Sequence, residues 1–262
     1  MRSIAIMNNK GGVGKTVTAI NLADILVRDY GRHVVLVDCD GQANLTRFYL
    51  PNYHDEDLGD GGTAAILCGQ GETIWSDNPI PVCPGLDLLP GGADLYGLDL
   101  ESIQQGGRNP LALRNFADCA AEDGETDFMI FDCPPGFTTA SVSALMAADT
   151  VVIPMALDGF SFDGLAALQQ QVSHLQKAHY GVQIGGVLIT RWHRAEVIQA
   201  AEGLLRSGSI PVYQTRIRQT DKVLESTLMR SPLRDYSPTS AAARDYRAWV
   251  REFLGEDDPN GL

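Results

Sequence analysis

The amino-acid sequence predicts an α/β fold in which a mostly parallel, twisted sheet carries helices on both faces. Short runs of β-branched and other apolar residues alternate along the chain with amphipathic stretches of helical period. Several runs, among them residues 34–37 and 128–131, are apolar throughout, which is typical of parallel strands buried on both faces. A length of 262 residues, with 44% hydrophobic and 20% charged residues, suits one domain with a sizeable core.

The predicted elements follow one another in strand–helix order from the N-terminus. Residues 3–8 are predicted as the first strand and residues 16–30 as a helix that ends at Gly31. Residues 51–62 are polar, acidic and glycine-rich, so we expect a mobile surface loop there. Further strands are predicted at residues 33–37, 86–89, 128–131, 151–155 and 182–190, and further helices at 111–121, 164–179, 195–206, 222–229 and 240–254.

We expect a single domain over residues 1–254, followed by a short acidic C-terminal tail over residues 255–262. No run approaches the roughly 18 apolar residues of a membrane span, and the N-terminus lacks the pattern of a signal peptide. The five cysteines are odd in number and form no C-x-x-C pair, which argues against a disulfide framework or a zinc ribbon. A cytoplasmic protein with reduced thiols is therefore expected.

Charge is distributed unevenly along the chain. The formal net charge of −13 argues against general binding to nucleic acid, because phosphates require a local excess of Lys and Arg. Between Leu188 and Arg251, however, lie 11 of the 20 basic residues and only 6 of the 33 acidic ones. The plain interpretation of scattered arginines is a solvated helical face. A basic surface with its own partner is the alternative.

The clearest motif is Lys10-Gly11-Gly12-Val13-Gly14-Lys15-Thr16, here called the glycine loop, which joins the first strand to the first helix. Its glycines allow backbone N–H groups to turn inward around an anion, and the following helix points its positive end at the same place. Lys15 would pair with β- and γ-phosphates, and the Thr16 hydroxyl would take a Mg²⁺ position. ATP and Mg²⁺ are therefore the expected cofactors. A glycine-rich turn without function is the alternative, against which the register of strand, loop, Lys-Thr and helix argues.

The glycine loop departs from the common pattern G-x-x-x-x-G-K-[ST], because Asn9 stands at the first glycine position and Lys10 adds a second cation. In this it resembles the deviant Walker A motif of the ParA/MinD family, K-G-G-x-G-K-[ST]. The resemblance implies a P-loop NTPase of the deviant Walker A type, with catalytic Lys10 and Lys15. It also implies that Lys10 reaches the nucleotide of the other subunit in an ATP-dependent homodimer. The implied nucleotide-binding residues are Gly11, Gly12, Val13, Gly14, Lys15, Thr16 and Val17.

Two further segments place carboxylates at the C-terminal ends of predicted strands, the edge at which open α/β sheets bind ligands. The run Asp38-Cys39-Asp40-Gly41-Gln42-Ala43-Asn44 resembles the family's D-x-D-P-Q-x-N, with Gly41 in place of the usual proline. The resemblance implies that Asp40 is catalytic and orients the attacking water, and that Asp38 lies near the metal. A polar turn is the alternative for these two acids.

Asp132, followed by Cys133-Pro134-Pro135-Gly136, resembles the family's Walker B segment D-x-P-P-G, in which the aspartate binds Mg²⁺ directly or through water. Thr16, Asp38 and Asp132 are thus the expected metal residues. An iron–sulfur role for Cys133 is disfavoured, because such clusters need several thiolates.

The resemblance covers nearly the whole chain and implies a partitioning ATPase. Two subunits would close on ATP and Mg²⁺, the dimer would bind DNA without sequence preference, and a ParB-like partner would trigger hydrolysis. Arg194 and Arg218 stand where the resemblance places DNA-binding arginines. The expected cargo is a chromosome, plasmid or mobile element, and the ATP-bound protein would be nucleoid-associated.

Other functions stay open at this point. A MinD-like positioning ATPase on a membrane would need a basic amphipathic C-terminal helix, whereas this chain ends in an acidic segment. An ATPase that positions a protein cargo is a second possibility within the family. A metabolic ATP-dependent enzyme or a metal-cluster carrier would need its own acid–base groups or paired cysteines, which the sequence does not display. Operator recognition is disfavoured, because a first strand beginning at Ser3 leaves no helix-turn-helix before it.

Overall fold

The computed structural model describes residues 1–53, 61–69, 79–105, 109–178 and 180–256, with side chains omitted for residues 100–105. The described strands are β1 (Arg2–Ile6), β2 (Val34–Asp38), β3 (Ile80–Cys83), β4 (Leu86–Leu89), β5 (Phe128–Asp132), β6 (Thr150–Ala156), β7 (Gln183–Trp192) and β8 (Val212–Arg218). The described helices are α1 (Lys15–Tyr30), α2 (Asn44–Tyr49), α3 (Gly62–Cys68), α4 (Asp94–Gln105), α5 (Ala112–Asp123), α6 (Thr139–Ala147), α7 (Ser161–Lys177), α8 (Glu196–Arg206), α9 (Asp221–Leu228), α10 (Leu233–Tyr236) and α11 (Ala241–Leu254).

The strands form one eight-stranded sheet in the order β3-β4-β2-β5-β1-β6-β7-β8. Every neighbouring pair is parallel except β3 and β4, which are antiparallel. Strand β1 lies between β5 and β6, where the path of the chain across the sheet changes direction, and open α/β sheets bind ligands at such a point. The predicted α/β class with a mostly parallel sheet is confirmed.

Helices cover both faces of the sheet, and the alternation of side chains along the strands explains why. In β1, Ile4 and Ile6 pack on one side with α1, α2 and α11, whereas Ala5 packs on the other side with α3 to α8. All three side chains are fully buried. Central strands such as β2 and β5 are therefore buried along their whole length, because each of them supplies two cores.

The predicted elements are observed with their ends shifted by a few residues, and the first helix ends at Gly31 as expected. The sequence prediction missed α6, whose residues are small or apolar on nearly every side, so that no amphipathic period marks it. A structural signal is nevertheless present, because Thr138 and Ser141 form a reciprocal capping box at its start. Strand β8 was also missed, because its polar and apolar residues do not form a buried run.

Parts of some predictions lie outside the described residues. These parts are residues 54–60 of the predicted loop, His179 at the end of a predicted helix, and residues 257–262 of the predicted tail. Helix α11 ends at Leu254, and Gly255 caps it in the left-handed conformation. Within the described ranges, none of the helices combines the length and apolar character that crossing a bilayer requires.

Candidate active site

The glycine loop lies between β1 and α1 at the centre of the sheet. Gly12 and Gly14 have φ angles of 73° and 91°, in the left-handed region that favours glycine. Gly14 directly precedes α1, so the unpaired N–H groups of the first helical turn face the same region as the loop. Asn8 fixes the start of the loop, because its side chain donates to the Pro154 carbonyl at 2.8 Å and accepts from the Lys10 N–H at 3.0 Å.

Lys15 is buried inside the glycine loop. Its Nζ donates to the Lys10 carbonyl oxygen at 2.9 Å, which folds the side chain back over the loop. Burial lowers the pKa of Lys15, and the negative charge of Asp132 is the strongest influence in the opposite direction. The positive charge of this buried ammonium group is only partly compensated by nearby carboxylates, and this favours the binding of an anion.

Asp132 ends β5, in register with Ile6 at the end of β1. Neither of its buried carboxylate oxygens has a hydrogen-bond partner of normal geometry. Burial and the neighbouring Asp38 raise the pKa of Asp132 well above its usual range, while the Thr16 hydroxyl and the Lys15 ammonium lower it. Carboxylate and hydroxyl oxygens suit Mg²⁺, which usually takes one or two protein ligands and completes its shell with phosphate and water. Asp132 and Thr16 therefore fit a Mg²⁺ site.

Asp38 occupies the position on β2 that is in register with Asp132, but its carboxylate is satisfied within the protein. Oδ2 accepts from the Thr46 N–H at 2.8 Å and from the Thr46 hydroxyl at 2.7 Å, and Oδ1 accepts from the Asp40 N–H at 3.1 Å. Burial raises the pKa of Asp38 to about 6, although these hydrogen bonds act to lower it. Of the two strand-end aspartates, Asp132 has the oxygens free for a metal, and Asp38 anchors α2.

Asp40 lies in the turn after β2 and is half-buried at the edge of the site cavity, the cavity next to the glycine loop. One oxygen accepts from the Gln42 N–H at 2.9 Å, which closes an Asx-type turn. At the intervening Gly41, a Cβ would lie 2.7 Å from the ring of Tyr96. Glycine at position 41, where the family has proline, thus leaves room for the Tyr96 ring. The Tyr96 hydroxyl accepts a hydrogen bond from the Gln42 side-chain amide at 2.5 Å.

Lys10 turns away from the loop and forms an ion pair with Asp158, in the connection between β6 and α7. Asp158 also accepts from the Ser161 hydroxyl at 2.7 Å and from the Phe160 N–H at 3.1 Å. The hydrogen bond from Lys10, followed by that from Ser161, lowers the pKa of Asp158 to about 2. Both partners are partly exposed, at 36% for Lys10 and 44% for Asp158, so the pair lies at the rim of the site.

The site cavity has a volume of about 620 Å³, within the range of roughly 300–1,000 Å³ typical of small-molecule sites. The glycine loop forms one end, Asp40 and Pro135 lie beside it, and the β8–α9 connection forms the other end. The residues at that far end are Ile217, Arg218, Gln219, Thr220, Asp221, Val223, Leu224, Thr227 and Tyr246. Among the described residues, no group of three or more His, Cys, Asp or Glu could hold a metal on its own.

The two arginines assigned to DNA have different surroundings. Arg194 is exposed, and no described residue forms an ion pair with it. Arg218 forms a bidentate pair with Asp245, with its Nε 2.9 Å from Oδ2 and its Nη2 2.6 Å from Oδ1. The positive charge of Arg218 is therefore compensated within the chain, and that of Arg194 is not.

The structure thus brings Lys15, Thr16, Asp38, Asp40 and Asp132 to one edge of the sheet. Sequence reasoning missed three residues that hold parts of this region, namely Asn8 at the start of the loop, Thr46 beside Asp38 and Asp158 beside Lys10. Asp158 carried no capping signal, because the N-cap residue of α7 is Phe160 and Asp158 accepts from Phe160 and Ser161 within the preceding turn. Thr46 carried no signal, because it contacts Asp38 through the fold of the turn.

Comparison with known proteins agrees with this geometry. A family model described as an AAA domain matches residues 1–184. The chain is 30% identical over 266 residues to the chromosome partitioning protein ParA of Caulobacter vibrioides, covering 98% of this chain and 95% of that protein. It is 32% identical over 263 residues to the chromosome-partitioning ATPase Soj of Thermus thermophilus, covering 97% and 96%. In structure it is similar to cobyrinic acid a,c-diamide synthase from Mycobacterium smegmatis with bound ADP and magnesium, with a TM-score of 0.78, 26% identity and coverage of 97% and 94%.

Proposed function

Since the chain belongs to the ParA family of partitioning ATPases, we propose that it is an ATP-dependent dimerisation switch that binds DNA and hydrolyses ATP to partition it. The observation that carries the proposal is the buried carboxylate of Asp132 beside the glycine loop, which has no hydrogen-bond partner of normal geometry and is only weakly compensated by Thr16 and Lys15. A buried carboxylate with so little compensation costs free energy in the empty protein, and a bound cation reduces that cost. The site is therefore prepared for a metal-bound polyphosphate.

Each residue of the site has a proposed part in ATP binding and hydrolysis. The N–H groups of the glycine loop and the Lys15 ammonium bind the phosphates, and the far end of the cavity accepts the base. Thr16 and Asp132 hold Mg²⁺, which neutralises phosphate charge when bound. Asp40 orients the attacking water. Only one of its carboxylate oxygens accepts from the Gln42 N–H, so the other oxygen can face the water at the edge of the cavity.

Lys10 is the proposed link between nucleotide state and dimerisation. Its position at the rim and its exposure leave it accessible to a second subunit. In the single chain Asp158 compensates its charge, and we propose that in the dimer the partner's nucleotide takes the place of this carboxylate. A cation offered in trans acts only after two subunits meet, which makes dimerisation depend on ATP.

DNA binding is proposed for the basic surface at the ends of β7 and β8. The uncompensated charge of Arg194 supports it, whereas Arg218 would first have to leave Asp245. Dimerisation doubles the number of phosphate contacts, and affinity depends steeply on that number and on salt. Binding to DNA would then follow the ATP-bound dimer, and a ParB-like partner would stimulate its hydrolysis.

The membrane alternative is weakened by the packing of α11. This C-terminal helix is amphipathic, but its apolar residues, including Tyr246, Trp249 and Phe253, are buried against the sheet and α1. They are not available for a bilayer unless the core opens. The similarity to cobyrinic acid a,c-diamide synthase reflects a shared fold, whereas 30–32% identity over nearly the full length of two partitioning proteins supports partitioning.

The proposal is tested by measuring association and DNA binding together. We expect the protein to be monomeric without nucleotide or with ADP, to dimerise with ATP and Mg²⁺, and to bind random-sequence DNA only as the dimer. Asp40→Ala should keep ATP binding, lose turnover and accumulate the dimer on a sizing column. An ATP-bound Asp40→Ala variant that stays monomeric would count against the switch, and dimerisation without DNA retention would favour a protein cargo.

A further inference from the structure

Arg191 lies near the end of β7, beside the glycine loop, and the proposed function does not use it. We propose that Arg191 is a positioning residue of the nucleotide site. Its guanidinium fixes the Gly12 peptide through the carbonyl oxygen, which orients the loop for phosphate binding, and it adds a third cation beside the glycine loop of Lys10 and Lys15. This proposal rests on the proposed binding of ATP to the cavity and concerns the same site.

The backbone of Arg191 is in a conformation that a residue with a side chain rarely adopts. Its φ is 53°, in the left-handed region, where a residue other than Gly, Asn or Asp carries a free-energy cost. The register between β7 and β8 shifts between Ile189 and Trp192, so this residue lies in an irregularity of the sheet. Irregularities of this kind redirect a side chain, and here the side chain lines the site cavity.

The end of β7 contacts the glycine loop twice. The Thr190 hydroxyl donates to the Val13 carbonyl oxygen at 2.8 Å, and Arg191 Nη1 donates to the Gly12 carbonyl oxygen at 3.3 Å. When consecutive N–H groups converge on an anion, the carbonyls of the same peptides point away from it. Side-chain donors from the end of β7 therefore hold two successive carbonyls of the loop, which fixes the orientation of its peptides.

Gly12 is a place in the loop where such a bond has an effect. Its φ of 73° lies in the left-handed region, which glycine adopts and leaves more easily than other residues. No atom lies within 4 Å of the place where a Cβ on Gly12 would be, so the space beside its Cα is open. The hydrogen bond from Arg191 to the Gly12 carbonyl oxygen therefore restrains a peptide that glycine leaves free to rotate.

Charge supports the same assignment. Lys10 is paired with Asp158, Arg218 is paired with Asp245, and Lys15 is buried in the loop. Within the described part of the chain, Arg191 lines the cavity without a carboxylate partner. An uncompensated guanidinium at a phosphate site raises the local potential and can move from the carbonyl to the phosphate itself.

The test compares Arg191→Asn with Arg191→Lys and with a matched control, Arg114→Asn. Asparagine tolerates the left-handed backbone, so the first variant removes the side chain without adding strain. Arg114 is partly exposed on α5 and does not line the cavity, so its variant loses the same charge elsewhere. The measurements are the Kd values for ATP and ADP with Mg²⁺, the KM and kcat of hydrolysis, and the thermal midpoint without nucleotide.

We expect Arg191→Asn to raise the Kd for both nucleotides and the KM by about tenfold, the effect of losing one charge-assisted hydrogen bond. Its thermal midpoint should be unchanged or higher, because the strain is relieved. Arg191→Lys should recover part of the affinity, and Arg114→Asn should bind as the wild type does. Wild-type affinity in Arg191→Asn, a lysine variant no better than the asparagine variant, or a thermal midpoint lowered in parallel with affinity would each overturn the proposal. If the wild type itself fails to bind ATP, the proposed function fails instead.

Discussion

Asp38 and Asp132 stand side by side at the ends of neighbouring strands, yet three donors satisfy the carboxylate of Asp38 and none of normal geometry reaches that of Asp132. These two aspartates are equally buried but differ in how well hydrogen bonds satisfy their carboxylates. One stabilises the turn that carries Asp40, and the other is open to a cation.

This difference predicts opposite effects of the same substitution. Asp38→Ala should lower the free energy of unfolding by about 1–3 kcal/mol, because buried donors on Thr46 and Asp40 lose their acceptor. Asp132→Ala should leave the free energy of unfolding unchanged or raise it by about 1 kcal/mol, while abolishing the effect of Mg²⁺ on ATP affinity. Thermal and urea denaturation without nucleotide, together with ATP titrations with and without EDTA, measure both effects. Equal destabilisation by the two variants would refute the assignment.

The Lys10–Asp158 pair predicts a change in dimerisation rather than in nucleotide affinity. Lys10→Ala should impair the ATP-dependent dimer and leave the Kd for ATP within about fivefold of the wild type, since one exposed charge is worth about 1 kcal/mol or less. Asp158→Asn frees Lys10 and should tighten the dimer by up to about fivefold. Asp163→Asn, on the exposed side of α7, is the matched control. Sedimentation at several protein concentrations with ATP gives the dimer Kd, and an unchanged Kd in Lys10→Ala contradicts the role in trans.

Asp24 predicts a pH dependence of stability. Burial raises the pKa of this carboxyl on α1 to about 6, although Arg28 acts to lower it, and Oδ2 has no hydrogen-bond partner. The folded pKa exceeds the unfolded value of about 4, so the folded state binds the proton more tightly. Stability contributed by this group is present below about pH 4 and is lost as pH rises through about 6. The other charged groups that act on Asp24 are Arg234, Asp235 and Asp29.

The check is thermal unfolding of the wild type and of Asp24→Asn at a series of pH values. The variant should lose this component of the pH dependence and should gain stability relative to the wild type as pH rises from about 4 to about 7. Arg28 keeps its own charge in both proteins over this range, so the difference between the two curves reports on the carboxyl. Parallel curves for the two proteins would show that Asp24 does not titrate in this range.

The two arginines at the basic surface are predicted to differ. Arg194→Ala should weaken binding to random-sequence DNA at low salt and reduce the slope of log affinity against log salt by about 1 for each phosphate that the arginine no longer neutralises. Arg218→Ala should have a smaller effect on DNA and should cost about 1 kcal/mol of stability, because Asp245 loses the partly exposed guanidinium and keeps the backbone N–H of residue 218. Fluorescence anisotropy across a salt series and thermal unfolding separate the two effects. Equal salt slopes for Arg194→Ala and the wild type would show that Arg194 is a solvated surface residue and does not contact DNA phosphates.

The sequence predicted the parts of the fold that depend on local pattern. Buried strands such as β2 and β5 are recognisable because both of their faces must be apolar, and the glycine loop is recognisable because few residues tolerate its backbone. Helix α6 was not recognisable, because a helix buried on most sides has no polar stripe. The motifs at the ends of β2 and β5 predicted that their carboxylates lie at the ligand-binding edge of the sheet, but not that β5 lies between β2 and β1.

What the sequence could not predict is how the site is held together. The partner of Lys10 lies 148 residues away, and two of the three donors to Asp38 come from a helix that no pattern indicated. Asp38 and Asp132 look alike in the sequence, as acids after an apolar strand. Their difference comes from the position of Thr46, which only the folded turn determines.

Gly41 decides how closely the turn that carries Asp40 can approach the start of α4. A Cβ at position 41 would lie 2.7 Å from the ring of Tyr96, so any other residue there requires the ring to move and disturbs its hydrogen bond to Gln42. Tyr96 is 46% exposed, which leaves the ring room to turn toward solvent. A chimera that imports a turn with proline at this position should therefore fold but lose the contact between the turn and α4, two segments that more than fifty residues separate in the sequence.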